Sequence, residues 1–281
     1  MRQGRPVGEI LRDWRQRRRL SQLDLACEAD ISTKHLSFLE TGRSRPSREM
    51  LLHLAERLEV PLRDRNLLLA AAGFTPEYPE RALDDPALES ARRGVEALLA
   101  AHEPNPALAV DRHWHLVAGN AAVGRLIADV EPTLLRPPVN VLRLSLHPAG
   151  LAPRVVNLPE WRAHVVQRLR RQIDVSGDPV LHDLLEELLD YPVPGGPTRA
   201  PSGEVVAVPF RLATSEGTLS FFSTTTVFGT PVEVTLSELA IEAFFPADAE
   251  TARLMRQMAA AAADPREAGL SLSGAAPAAA D

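Results

Sequence analysis

Residues 21–40 read SQLDLACEADISTKHLSFLE, and no other stretch constrains the fold as tightly. Ser21 is a good helix N-cap with Asp24 three residues on, so a helix is expected to start there. Ala29-Asp30-Ile31 is a tight turn. Ser32 then caps a second helix ending near Glu40, and Gly42 is its expected C′ stop. Leu36 and Leu39 are three apart and face inward, with Ile31 just before them. Thr33, Lys34, Ser37 and Phe38 point elsewhere. Helices this short are not stable alone and must pack on neighbours. The neighbours are legible. Val7, Ile10, Leu11 and Trp14 recur at helical spacing between Val7 and Arg18. Ser47 caps REMLLHLAERL, and Pro61 opens RDRNLLLAAAGF at a position proline tolerates. Five short helices are therefore expected in the first 75 residues.

A helix, a three-residue turn and a second helix within a small helical module form the helix-turn-helix arrangement. In such a module the first turn of the second helix, here Thr33 and Lys34, enters a major groove. Gln22, in the first turn of the preceding helix, sits where free N–H groups attract phosphate. Arg43 and Arg45 flank the exit loop within reach of backbone phosphates. Charge fits. Residues 1–65 hold 14 Lys+Arg and 10 Asp+Glu, a net of +4. The other residues hold 17 and 27, a net of −10, so only the first module suits an anionic polymer. Lys34 is the sole lysine, which coding bias towards arginine explains; its position carries the argument. Arg17-Arg18-Arg19 reads as a solvated face or a contact.

The ordered pattern Leu11, Arg15, Leu20-Ser21-Gln22, Leu25-Ala26, Ile31-Ser32, Leu36, Leu39-Glu40, Gly42, Pro46-Ser47, Leu51, Leu54-Ala55 and Leu58 resembles the Cro/C1-type helix-turn-helix of the XRE family over residues 7–62. The resemblance implies that Gln22 and Ser32 contact phosphate and that Thr33, Lys34 and Phe38 face bases. It also implies an Arg15–Glu40 pair tying the first helix to the recognition helix. Two positions depart from the pattern. Asp30 stands where the family usually has glycine, and aspartate tolerates the left-handed conformation. Phe38 replaces a commoner polar reader; it touches a thymine methyl group or covers the domain's own surface.

FTPEYPERALDDP, from Phe74 to Pro86, is rich in proline and charge and reads as a linker; its prolines limit free motion of whatever it joins. Beyond it, LESARRGVEALLAAH is an amphipathic helix, and PALAVDRHWHLVAGNAA alternates around a turn before entering a helix at Asn120. Residues 159–190 look helical. Val205 to Phe245 is strand-rich, with turn signals at Ser215-Glu216-Gly217 and Gly229-Thr230, and VEVTLSELAIEAFF is read as one strand-like run. The tail from Asp264 is expected to be disordered. The segments PALAVDRHWHLVAGNAA, PPVNVLRLSLHPAGLAPRVVNLPEWRAH and LHDLLEELLDYP resemble the MmyB-like ligand-binding domain. That resemblance implies a PAS-like α+β fold holding a small lipophilic molecule, fatty acids being the suggested class.

The expected architecture is thus mainly α plus α+β: a five-helix Cro/C1-type domain over 1–75, a linker over 76–86, a PAS-like domain with an antiparallel sheet over 87–262, and a tail over 263–281. A pocket needs apolar walls and a few convergent polar groups. SFFSTTTVF and AFF offer walls. Asn120 marks the strand-to-helix joint, and His147, Arg154, Asn157, Trp161, Arg162 and His164 gather in one stretch. An arginine fork there would hold a carboxylate; pairing with the domain's own acids is the competing reading. His113 and His115, placed i, i+2 on a strand, would share a face, but a metal site needs three or four ligands and no third follows at a diagnostic spacing.

Cys27 excludes an internal disulfide, fits a reducing compartment, and is read as a small buried hydrophobe. No apolar run approaches 18 residues and the N-terminus is too polar for a signal peptide, so a soluble, cytoplasmic chain without a membrane partner is expected. No P-loop, G-x-S-x-G or G-x-G-x-x-G is present; no enzyme activity, metal or cofactor is expected. The reading is a regulator that binds double-stranded operator DNA as a homodimer, modulated by a small lipophilic or acidic ligand. The alternative is a sensory or protein-interaction module whose PAS-like domain recruits a protein partner.

Overall fold

The computed structural model describes residues 4–192 and 208–262. The expected disordered tail, 263–281, and the start of the strand-rich stretch, 205–207, lie outside them. The chain divides into two compact units. The first runs to Ala82 and includes Asp174–Gly177 and Gly229–Ser237; the second comprises the rest.

The first unit opens with five helices: α1 (Val7–Arg17), α2 (Gln22–Glu28), α3 (Thr33–Glu40), α4 (Arg48–Arg57) and α5 (Leu62–Ala71). Ser21, Ser32 and Ser47 each accept a bond from the backbone N–H three residues on, and Ser21 with Asp24 forms a reciprocal capping box. These caps satisfy donors that a free helix end leaves unpaired. The leucines at 11, 25, 36, 39, 51, 54, 58 and 68 are almost completely buried and form one core. Asp30 sits in the left-handed region with φ +53°, which lets α2 turn sharply into α3. Gly42 does the same after α3, with φ +72°. Gly8 has a different role. A Cβ there would lie 2.4 Å from the Leu39 carbonyl oxygen and 2.6 Å from that of Glu40, so α1 approaches the end of α3 only because residue 8 has no side chain.

That approach sets up a buried ion pair. Arg15 Nε donates to Glu40 Oε1 at 2.6 Å and Nη2 to Oε2 at 3.0 Å, with the two residues 8% and 6% exposed. Cys27 is exposed, contrary to expectation. α2 buries Leu25, Ala26 and Ala29, and residue 27 falls on the opposite side with Leu23 and Glu28. Residues 76–82 are not a free tether. Asn66 Oδ1 accepts the N–H groups of Glu77 and Tyr78, its Nδ2 donates to the Tyr78 carbonyl, and Arg65 lies over the Tyr78 ring.

In chain order the later elements are α6 (Glu89–Ala101), β1 (Ala107–Val110), β2 (Leu116–Gly119), α7 (Ala121–Ile127), α8 (Val141–Leu146), α9 (Leu158–Ser176), α10 (Pro179–Asp190), β3 (Phe210–Thr214), β4 (Gly217–Val227), α11 (Val234–Ser237), β5 (Ala240–Pro246) and α12 (Ala249–Ala261). The strands form a curled antiparallel sheet ordered β2-β1-β5-β4-β3. Both faces are covered. Leu108 and Val110 of β1 join a core with α7, α9 and α10, while Ala107 and Ala109 meet Val95 and Leu99 of α6. The helical reading of 159–190 resolves into two helices; Asp178 caps Val180 N and Pro179 takes the first helical position. VEVTLSEL is not strand: Glu233 Oε2 accepts the Leu236 N–H and Ser237 Oγ donates to the Val234 carbonyl, winding α11 before β5 begins.

Arg15→Ala would leave the Glu40 carboxylate buried without its cation, a change that costs about 3–5 kcal/mol. The expected outcome is a lowered urea midpoint for the helical unit, followed by circular dichroism, with the second unit's transition unmoved. An unchanged midpoint would mean that the pair does not hold α1 to α3.

Candidate functional site

Two places gather chemistry, one in each unit. In the first, α3 presents Thr33 and Lys34 in the turn that Ser32 caps, with Lys34 exposed. Phe38 is half-buried, with Lys34 Nζ 5.7 Å and Arg43 Cζ 5.9 Å from its ring centre. Two cations thus stand within cation–π reach of the one ring. Ser37 and the exposed Arg43 and Arg45 complete the same helix and its exit loop. Gln22 Nε2 donates to Glu40 Oε2 at 2.8 Å, so the Arg15–Glu40 pair also orients Gln22.

The second place is a cavity inside the second unit, enclosing about 960 Å³ of space free of atoms with its open mouth included. Sixteen of its 21 lining residues are apolar, from β1, α7, α8, α9 and the sheet. The exceptions are Ser145, His164, Arg168, Ser223 and Glu242. Arg168 and Glu242 close on each other: Nη1 donates to Oε2 at 2.9 Å and Nη2 to Oε1 at 2.5 Å, and Nη2 also donates to Thr225 Oγ1. The guanidinium lies 4.5 Å from the Trp114 ring centre. Trp161 stacks on His164 with 5.4 Å between ring centres, and its Nε1 is buried with no hydrogen-bond partner among the described residues. Burial first, and Arg168 second, hold the His164 imidazole below the usual histidine range.

Of the sequence candidates, Trp161 and His164 line this cavity; the others are engaged elsewhere. Asn120 caps α7 and uses all its capacity on Ala107 N, Val123 N and the carbonyls of Leu99 and Asn105. Arg154 donates to the Leu126 carbonyl, and Arg162 to those of Leu188 and Leu189, where cations suit the ends of α7 and α10. His147 caps α8 and accepts from Ala149 N. Asn157 pins β3 through Pro209 O and Arg211 N. Sequence reasoning missed Arg168 and Glu242. The signal was one of faces: Arg168 follows Trp161 and His164 by seven and four on α9, and Glu242 alternates with Ala240 and Phe244 on β5.

His113 and His115 lie in the turn between β1 and β2, not on a strand. Asp111 Oδ1 accepts the N–H groups of both His113 and His115, an aspartate turn that ends the strand. His115 Nδ1 and Asp111 Oδ2 are 3.0 Å apart, as are His113 Nε2 and Asp178 Oδ2. Burial alone would raise the Asp111 carboxyl, but the bonds from His115 and His113 outweigh it and hold it below the usual range. The His113 bond, against burial, likewise lowers Asp178.

A helix-turn-helix family model matches residues 11–64. The model of the MmyB-like transcription regulator ligand binding domain matches residues 91–258, more than half of the chain. None of the curated proteins matches the chain. Both matched domains are those of a transcription regulator and not of an enzyme family. No described helix is long and apolar enough to cross a membrane. The chain therefore belongs to the MmyB-like transcription regulators, a DNA-binding helix-turn-helix module followed by a ligand-binding domain.

Proposed function

We propose that the chain is a cytoplasmic, homodimeric regulator that binds a specific operator and releases or grips it according to a small lipophilic ligand. Thr33, Lys34, Ser37 and Phe38 read bases, with Phe38 against a thymine methyl group. Gln22, Ser32, Arg43 and Arg45 hold phosphates. A dimer follows from the shortness of α3, which reads only a few base pairs; a symmetric pair doubles the contacts. The exposed Lys34, projecting from a serine-capped first turn, is the observation that supports this most strongly.

The ligand domain takes the PAS-like role of the family resemblance. Its almost wholly apolar wall supports a lipophilic occupant, such as a fatty acid or a neutral lipid of similar bulk. The single arginine of the wall is already neutralised by Glu242, so a carboxylate ligand competes with Glu242 for it. The Trp161 indole N–H is the donor for a ligand oxygen.

Lys34→Ala is expected to cost about 1–3 kcal/mol of operator affinity and to relax preference at one base position. Arg43→Ala is expected to weaken binding to every sequence and to flatten the salt dependence by about one charge. Fluorescence anisotropy with operator and scrambled duplexes reads both. Unchanged affinity and preference in Lys34→Ala would remove α3 as the reader.

A pH dependence also follows from the cavity. The folded His164 has a pKa below its unfolded value of about 6.5, so the fold favours the neutral ring. Its contribution to stability is complete above about pH 6.5 and is lost as the pH falls towards the folded value, because the unfolded chain takes the proton first. The thermal midpoint of the second unit is expected to drop between pH 7.5 and 5.5, and His164→Phe, which keeps the stack on Trp161, to reduce that drop. Equal drops in both proteins would assign the pH dependence to other groups.

A further inference from the structure

We propose that the turn between β1 and β2 is a site for a divalent transition metal, with Asp111, His113 and His115 as protein ligands. The ligand atoms of these three side chains all lie within 4.8 Å of one another. Asp178 stands beside them, its Oδ2 3.0 Å from His113 Nε2. An ion bound at about 2.0–2.2 Å to each donor needs its ligand atoms no more than about 4.4 Å apart. Small side-chain rotations close that gap. The backbone that carries the donors is already fixed. Asp111 Oδ1 is committed to two N–H groups, which leaves Oδ2 for a cation. Trp114, between the histidines, is held by its Nε1 bond to Gln172 and by Arg168 over its ring.

Two imidazoles with one or two carboxylates suit zinc, cobalt(II) or nickel(II); magnesium and calcium prefer oxygen alone. Without a metal, the same groups pair as two histidine–aspartate hydrogen bonds and merely lock the turn. Arg112 opposes a cation, since its Nη1 lies 3.9 Å from Asp178 Oδ2, but Glu238 at 3.5 Å offsets it. What favours a metal site over a mere lock is that a donor atom from each ring and one from the Asp111 carboxylate lie within 4.8 Å of one another. Because Trp114 also lines the cavity, a cation here would stiffen one of the ligand's walls.

The test uses the full chain with any purification tag removed, stripped by chelator and titrated with cobalt(II) at pH 7.5. One equivalent is expected to bind, with visible d–d bands and quenched tryptophan fluorescence, and zinc is expected to displace it. Asp111→Asn retains the oxygen that accepts the two N–H bonds, so the turn persists; affinity is expected to fall at least about tenfold. Joint His113→Asn and His115→Asn substitution is expected to abolish the bands. His182→Gln, on the exposed face of α10, is expected to change nothing. The absence of one-equivalent binding by the unaltered protein would overturn the proposal. So would binding that survives at full strength in the double variant.

Discussion

The first unit depends on where one carboxylate is put. Glu40 is buried at the end of α3, where a lone charge would be costly, and three donors meet it: Arg15 Nε, Arg15 Nη2 and Gln22 Nε2. Those donors come from α1 and α2. The same bonds that make the carboxylate tolerable therefore fix three helices against one another. A hydrophobic pair at these positions would stabilise as well or better. What the ion pair adds is direction, because a bidentate fork accepts one orientation and apolar contact accepts many. Gly8 lets α1 come close enough for the fork to reach, and Asp30 and Gly42 start and stop α3 at left-handed positions. The outcome is a helix of eight residues, too short to persist alone, presented rigidly with Lys34 and Phe38 outward.

The second unit solves a different problem. A sheet buried on both faces ordinarily packs solid. Here β1 sends small alanines towards α6 and larger side chains towards α7, α9 and α10, and on that larger side the packing leaves a cavity. The charged pair and one hydroxyl in its wall are answered by the protein itself. Arg168 and Glu242 answer each other, Ser145 bonds the Leu142 carbonyl, and burial lowers the His164 pKa. Such a wall presents little charge to a guest, which favours shape and apolar area over ionic recognition.

Much of this was legible in the sequence because the signals were local. Serine caps, the three-residue turn and leucine spacing each act within a few residues, and the five-helix order follows from them. The cavity's polar groups were not legible in the same way. Arg154 and Arg162 stood out by density along the chain, yet each turned to the carbonyl end of a helix far from it in sequence. Arg168 and Glu242, 74 positions apart, meet only because the fold brings a side chain of α9 to one of β5. Cys27 and the 232–239 stretch show two further limits. A residue type that is usually buried follows its helix face, and a β-rich composition yields to one glutamate that can cap a turn.

In the proposed function the cavity's occupant changes the grip of α3 on DNA. The most direct measurement is operator affinity of one preparation in two states: extracted with organic solvent and refolded empty, then refilled with whatever small molecule the extract contains. A difference of about 1–3 kcal/mol between the states is expected, the range typical of coupled sites. An equal change in ligand affinity is expected when operator is added, as linkage requires. Identical operator affinity in the empty and refilled states, with refilling verified by mass spectrometry, would contradict it.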